Sequence, residues 1–180
     1  IVKGHSAHPG TSEIVAQAID DSIKACNMHP GTVSVIQGGS RDVGQALVQH
    51  PLIKAVGFTG SLAGGKALFD FCAAREEPIP FFGELGSVNP MFLLPHAIAN
   101  RGGEISSGWV GSLTMGAGQF CTNPGIAIVI DGADAANFIN DVTTLLSKVD
   151  SQMMLTDGIS KAYRVGCERM SSFGAVGQLK

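Results

Sequence analysis

The chain has 180 residues, which is enough for one domain with a hydrophobic core or for parts of two. Hydrophobic residues make up 44%, charged residues 15%, and the formal net charge is -3. No apolar run approaches the roughly 18 to 20 residues that a membrane-spanning helix needs. No basic stripe favours nucleic acid. Composition therefore indicates a soluble chain with neither a membrane nor a nucleic-acid partner.

In chain order, apolar periodicity predicts strands that alternate with helices. The predicted strands are Ile1–Val2, Val33–Ile36, Ile53–Phe58, Pro80–Phe82 leading into Glu84, Met91–Leu94 and Ala127–Ile130. The predicted helices are Thr11–Cys26, Val43–Gln49, Ser61–Ala74, Ile98–Thr114, Ala135–Val149 and Ile159–Phe173. This alternation predicts an α/β fold with parallel strands joined by right-handed crossovers, and the pattern restarts near residues 86–88.

Polar and glycine-rich residues directly follow four of the predicted strands. They are Lys3, Gly38–Arg41, Thr59–Ser61 and Glu84–Leu85. In a parallel sheet these positions share the carboxyl edge, where free backbone N–H groups and helix N-termini suit phosphate. The sequence therefore predicts a ligand site at this edge.

A glycine-rich turn, Gly116–Gly125, presents Cys121 between a predicted helix and a predicted strand. A core cysteine normally sits inside an apolar periodic segment, whereas glycines let the backbone approach a ligand closely. The turn fits a displayed nucleophile, and a structural cysteine in a tight turn is the alternative.

The other three cysteines sit in helical periodicity, and we assign them to packing: Cys26, Cys72 and Cys167. Their wide spacing, without paired CxxC motifs, predicts neither a disulfide framework nor a zinc site. The five histidines are also scattered, so no metal is expected. The cysteine usage favours a reducing compartment, and cytoplasm is the expected location.

Three motifs in order carry a resemblance to a known family: Gly57–Ser61, Glu84–Pro90 and Gly118–Cys121. Together they resemble the NAD(P)-dependent aldehyde dehydrogenases over essentially the whole chain, with Ser87 standing where a second glycine is common. The resemblance implies an internal fragment. We expect residues 1–86 to be part of a nucleotide-binding domain with a parallel Rossmann-like sheet and flanking helices. Residues 87–180 would be part of a second, catalytic α/β domain that bears the cysteine.

The resemblance implies roles for Cys121 and Glu84. The Cys121 thiolate would attack an aldehyde, hydride would leave for the nicotinamide, and Glu84 would activate the water that hydrolyses the thioester. The alternative for Glu84 is a solvated carboxylate at a strand end. The family's oxyanion asparagine lies before this chain, and the parent enzyme is expected to be a homo-oligomer.

The predicted cofactor is NADP, with NAD as the alternative. The family's NAD users often carry glutamate three positions after the lysine, where this chain has Ser6, which does not repel a 2'-phosphate. Arg41, predicted in the loop after the second strand, suits phosphate, although it could be an ordinary exposed arginine. Lys3, Ser6 and Arg41 together are predicted to hold the 2'-phosphate.

The resemblance also implies cofactor contacts along the predicted Thr59–Ser61 turn and beyond it. The residues concerned are Thr59, Gly60, Ser61, Gly65 and Leu85. Ser61 is at the same time expected to be the N-cap of the following helix, a function compatible with a phosphate at that helix end.

Two segments, Lys3–Thr11 and Gly108–Cys121, resemble the bacterial subgroup that oxidises 2,5-dioxopentanoate. A neighbouring subgroup that takes long-chain fatty aldehydes with NADP is the alternative. Trp109, Leu113 and Phe120 would line one pocket wall in either case.

Two alternative functions, from other classes of protein, remain open. A cysteine hydrolase would need a histidine near Cys121, and His96 is the candidate in the second half of the chain. A nucleotide-binding fragment without activity of its own is the other.

Overall fold

The structure, a computed structural model, describes residues 1–174. The chain divides into two compact units. The N-terminal unit is Ile1–Gly86, and the C-terminal unit begins at Ser87.

The N-terminal unit contains four strands and three α-helices. In order these are β1 (Val2–Lys3), α1 (Pro9–Ala25), a 3-10 turn (Pro30–Thr32), β2 (Val35–Ile36), α2 (Arg41–Gln49), β3 (Val56–Thr59), α3 (Leu62–Ala73) and β4 (Phe81–Glu84). β1 pairs with β2 and β3 with β4, both parallel, and Thr59 lies opposite Glu84. The carboxyl ends of β3 and β4 therefore lie side by side.

The C-terminal unit has one strand pair and three α-helices in its described part. Its elements are β5 (Pro90–Leu93), α4 (Pro95–Thr114), a 3-10 segment (Met115–Gly118), β6 (Ile126–Val129), α5 (Ala133–Leu146) and α6 (Asp157–Ser171). β5 and β6 are parallel, with Pro90 opposite Ile126. Residues just before Pro90 therefore lie beside residues just before Ile126.

The predicted α/β fold is confirmed, and every strand pair in residues 1–174 is parallel. The strands form three two-stranded pairs. β3 starts later than predicted, because the Ile53 N–H donates to the His50 carbonyl in the turn after α2. Arg41 was predicted in a loop and is instead the first residue of α2. The Ser40 hydroxyl caps that helix by accepting from the Asp42 N–H over 3.0 Å.

The core of the C-terminal unit forms where one face of β5 and β6 packs against α4 and α5. Its buried members are Leu93, Ile98, Val110, Phe138 and Val142. Burial of each such side chain contributes about 1.5 to 3 kcal/mol. This core holds the helix and strand that flank the cysteine turn.

The packing prediction for the cysteines is confirmed for Cys72, which is buried, and wrong for Cys26 and Cys167, which are exposed. Cys26 is the C-cap of α1, beyond its buried residue Ile23. Cys167 lies on α6, a helix without buried residues in the described structure. Within residues 1–174, no three His, Cys, Asp or Glu side chains cluster as a metal site, and no helix combines the length and apolarity needed to cross a membrane.

Candidate active site

The loop that carries Cys121 begins with three consecutive residues in the left-handed backbone region. Their φ angles are 56° at Gly116, 58° at Ala117 and 72° at Gly118. Glycine adopts this region without strain, whereas a side chain there costs about 1 to 2 kcal/mol. The loop is therefore rich in glycine because the chain changes direction sharply after α4.

Cys121 lies at the centre of a tight turn and is exposed. The Asn123 N–H donates to the Phe120 carbonyl over 3.0 Å, which makes Cys121 and Thr122 the central residues. In the described residues, neither the Cys121 N–H nor the Thr122 N–H has a hydrogen-bond partner. The turn thus combines an accessible thiol with two free donors, a combination that can stabilise negative charge on a substrate oxygen.

Side chains of the Ser87–Pro90 segment hold the carbonyl side of this turn. The Ser87 hydroxyl donates to the Cys121 carbonyl oxygen over 2.7 Å. The Asn89 amide donates to the same oxygen over 2.7 Å and to the Asn123 carbonyl oxygen over 3.0 Å. Asn89 has no role predicted from the sequence, and Ser87 stands out there only as a departure from the family pattern. The available signal was that parallel pairing of the strands after each segment brings the two segments together.

The other end of the loop is fixed from α4. The Asn123 amide donates to the Leu113 carbonyl over 2.7 Å, and the Trp109 indole N–H donates to the Pro124 carbonyl over 3.0 Å. The Trp109 ring is half-buried, with its centroid 6.1 Å from that of Phe138. In the described structure Trp109 therefore supports the cysteine loop from the core side. Its predicted place in a pocket wall stays a prediction.

A reciprocal pair of glutamine contacts ties the left-handed segment to the chain after α5. The Gln152 side-chain oxygen accepts from the Ala117 N–H over 2.7 Å. The Gln119 side-chain oxygen accepts from the Leu155 N–H over 3.1 Å. Sequence reasoning missed these contacts, since no local pattern connects positions so far apart in the chain.

Glu84 is the last residue of β4 and is exposed. Its backbone carbonyl accepts from the Gly60 N–H over 3.1 Å. Its carboxylate has no hydrogen bond or ion pair within residues 1–174. An open cleft of about 610 Å³ runs along β3 and β4, and its lining includes Thr59 and Glu84. The carboxylate is therefore exposed and unpaired in the described residues, at the carboxyl end of β4.

The start of α3 has the cap that the sequence predicts. The Ser61 hydroxyl accepts from the Gly64 N–H over 3.2 Å. The Gly60 N–H is bonded to Glu84, so it is not available to a ligand. In the described part of the chain the N–H groups of Leu62 and Ala63 have no partner. This helix end keeps two free donors of the kind that bind phosphate.

Gly65 and Leu85 are in contact. Gly65 is buried in α3, and a Cβ atom placed there would lie 3.1 Å from Leu85 Cδ1 and closer still to Cδ2. The glycine allows the residue after Glu84 to pack directly onto the helix.

The three residues predicted to hold a 2'-phosphate differ from one another in their contacts and exposure. The Lys3 ammonium donates to the carbonyls of Gly4 and Gly38, each over 3.1 Å, so it is already engaged. Ser6 and Arg41 are exposed, and the Arg41 guanidinium makes no hydrogen bond to the described residues. The pairing of β1 with β2 brings Lys3 to the Gly38 segment. No hydrogen bond joins Lys3, Ser6 and Arg41 in residues 1–174.

His96, the candidate base for a cysteine hydrolase, is exposed in the first turn of α4. Within the described residues, no hydrogen bond joins it to Cys121. The geometry gives the hydrolase alternative no support.

Comparison with known proteins identifies the class. The sequence model of the aldehyde dehydrogenase family matches residues 1–166. The chain therefore belongs to the aldehyde dehydrogenase family.

Two relatives extend over nearly the whole chain. It is 46% identical over 179 residues to alpha-ketoglutaric semialdehyde dehydrogenase 2 of Azospirillum brasilense, covering 99% of this chain and 34% of the relative. It is 42% identical over 170 residues to alpha-ketoglutaric semialdehyde dehydrogenase of Acinetobacter baylyi, covering 94% of this chain and 32% of the relative. The chain spans about a third of the length of these relatives.

Solved structures share the fold at low identity. The glyceraldehyde-3-phosphate dehydrogenase GapN of Methanocaldococcus jannaschii, complexed with NADP, superposes with a TM-score of 0.79 at 20% identity, over 99% of this chain and 40% of that one. An NAD-dependent benzaldehyde dehydrogenase of Corynebacterium glutamicum superposes with a TM-score of 0.73 at 18% identity. The match covers 89% of this chain and 36% of that one.

Proposed function

We propose that this chain forms part of an enzyme that oxidises 2,5-dioxopentanoate, also called α-ketoglutaric semialdehyde, to its carboxylic acid with NADP. The observation that carries the proposal is the Cys121 turn, in which an exposed thiol stands beside two unbonded N–H groups. The substrate is that of the two relatives at 46% and 42% identity.

The first half of the reaction falls to Cys121. Its thiolate adds to the aldehyde carbon, and negative charge develops on the carbonyl oxygen. The free N–H groups of Cys121 and Thr122 are suited to donate to that oxygen, which lowers the barrier to addition. When bound, NADP would supply the hydride acceptor, and loss of hydride from the Cys121 adduct would leave a thioester on Cys121.

The second half falls to Glu84. Its unpaired carboxylate accepts a proton from a water molecule while the water oxygen attacks the thioester carbon. The carbon–sulfur bond breaks, the carboxylic acid is released, and the Cys121 thiolate is restored. The exposed position of Glu84 at the carboxyl end of β4, open to solvent water, supports this role.

The described residues fit an NADP site in two respects. Arg41 carries a guanidinium that is free of protein partners in the described structure, and guanidinium matches a 2'-phosphate in shape and charge. The start of α3 offers the N–H groups of Leu62 and Ala63 to the pyrophosphate. Lys3, at the end of β1, and Ser6, in the loop after it, are proposed to hold the 2'-phosphate together with Arg41.

The test is NADPH production by the full-length enzyme. It is offered 2,5-dioxopentanoate and a long-chain fatty aldehyde in parallel, with NAD as the control cofactor. The proposal predicts a large advantage in kcat/KM for the dioxo acid with NADP. An advantage for the fatty aldehyde would overturn the substrate assignment while leaving Cys121 and Glu84 in place. No turnover of either aldehyde would overturn the proposed activity.

A further inference from the structure

We infer that Ser87 and Asn89 are positioning residues that fix the Cys121 peptide for nucleophilic attack. The inference rests on the proposed function, since it concerns the same nucleophile. It assigns a task to two side chains that contact the backbone of the cysteine turn and lie outside the reacting groups.

The contacts converge on one oxygen atom. The carbonyl oxygen of Cys121 accepts from both the Ser87 hydroxyl and the Asn89 amide, each over 2.7 Å. The Asn89 amide also reaches the Asn123 carbonyl oxygen over 3.0 Å and the Ser87 hydroxyl oxygen over 3.3 Å. Both short Asn89 partners are carbonyl oxygens, which only accept, so the amide must present its NH2 group to the turn.

The backbone around Asn89 is shaped for this contact. Asn89 adopts a φ of 47°, a left-handed conformation that asparagine tolerates better than most residues. The Gly125 N–H donates to the Val88 carbonyl over 3.0 Å, which adds a backbone tie between the same two segments. The Ser87–Asn89 segment thus binds the cysteine turn from both its side chains and its main chain.

Fixing the carbonyl also fixes the donor on the opposite side. In a planar trans peptide the C=O of Cys121 and the N–H of Thr122 point in opposite directions. Because Ser87 and Asn89 hold the carbonyl, the Thr122 N–H is directed away from them, and there it has no partner in the described residues. Loss of the two donors would let this peptide rotate, so that the free N–H and the thiol are aligned less often.

The test compares Ser87→Ala, Ser87→Thr and Asn89→Ala in the full-length enzyme. Loss of one hydrogen bond of ordinary strength predicts a kcat about fivefold lower for Ser87→Ala, with the KM values for aldehyde and NADP unchanged. Asn89→Ala removes two short contacts and should lower kcat further. Ser87→Thr keeps the hydroxyl and should restore kcat.

The matched control is Ser107→Ala. Ser107 lies on α4 in the same unit, is exposed, and donates to the Gly103 carbonyl over 2.9 Å. Its replacement removes a similar hydroxyl-to-carbonyl bond away from Cys121 and should leave kcat unchanged. A fall in kcat equal to that of Ser87→Ala would overturn the inference.

Hydrogen exchange separates this inference from the proposed function, because it needs no turnover. The backbone N–H of Asn123, which donates to the Phe120 carbonyl, should exchange faster in Ser87→Ala than in the parent or in Ser107→Ala. If no aldehyde is oxidised but this exchange is faster, the positioning role stands and the proposed activity fails. If turnover through Cys121 is normal in Ser87→Ala and exchange is unchanged, the positioning role is wrong and the activity stands.

Discussion

Replacement of Gly118 by alanine should distort the loop that presents Cys121. Gly118 has a φ of 72°, and a Cβ atom there would lie 3.3 Å from the Leu113 carbonyl oxygen. The left-handed conformation costs a side chain about 1 to 2 kcal/mol. The lower entropy of the unfolded chain returns about 0.4 to 1 kcal/mol. With the close carbonyl contact added, we expect a net loss of about 1 to 2 kcal/mol in unfolding free energy, together with a lower kcat.

The matched control is Gly111→Ala in the same unit. Gly111 lies inside α4 with nothing within 4 Å of the added Cβ, so the substitution should stabilise the helix by up to about 1 kcal/mol. Ala117 has a φ of 58° and already carries the left-handed strain. Ala117→Gly should therefore leave stability unchanged or raise it.

Denaturant unfolding followed by circular dichroism measures all three variants, and steady-state kinetics measures kcat. The order of stability should be Gly111→Ala above the parent and Gly118→Ala below it. If Gly118→Ala proves as stable and as active as Gly111→Ala, the left-handed loop cannot be what positions Cys121.

Two further predictions concern charge. Arg41→Ala should raise the Kd for NADP about tenfold or more, because one charge-assisted hydrogen bond is lost. The Kd for NAD should stay unchanged. Arg164→Ala, at another exposed arginine, should change neither Kd, and an equal effect on both cofactors would refute the 2'-phosphate contact. Burial raises the pKa of the Cys72 thiol, and the charge of Arg75 opposes that rise. In the unfolded chain this thiol ionises near its ordinary pKa of 9.0, whereas in the folded chain it keeps its proton. The contribution of Cys72 to the unfolding free energy is therefore fully present below pH 9.0 and is lost progressively above that pH. Cys72→Ala should flatten the decline of unfolding free energy above that pH, and an unchanged slope would contradict this.

Features that depend on neighbouring residues could be predicted from the sequence. Ser61 precedes an apolar helical repeat and caps α3 as expected. Glu84 ends an apolar strand, and its carboxylate is exposed there as that position implies. Cys121 stands among glycines whose left-handed backbone the composition itself suggests. Capping, strand periodicity and glycine conformation are local effects, so a single sequence carries them.

Contacts between distant segments could not be predicted in the same way. Ser87 and Asn89 reach Cys121 only because β5 and β6 pair in register, and the register is set by tertiary packing. Gln152 reaches Ala117 across α5 for a similar reason. The contact of the Lys3 ammonium with the Gly38 carbonyl likewise depends on the pairing of β1 with β2, which places that acceptor beside it.

The most direct test of the proposed mechanism is mass spectrometry of Cys121 after a rapid quench of Glu84→Gln with 2,5-dioxopentanoate and NADP. Glutamine cannot accept the proton from water, so hydrolysis should stall after hydride transfer. We expect one equivalent of NADPH per active site and an acyl adduct on Cys121, with neither formed in Cys121→Ser. Continuous turnover by Glu84→Gln with an unmodified Cys121 would contradict it.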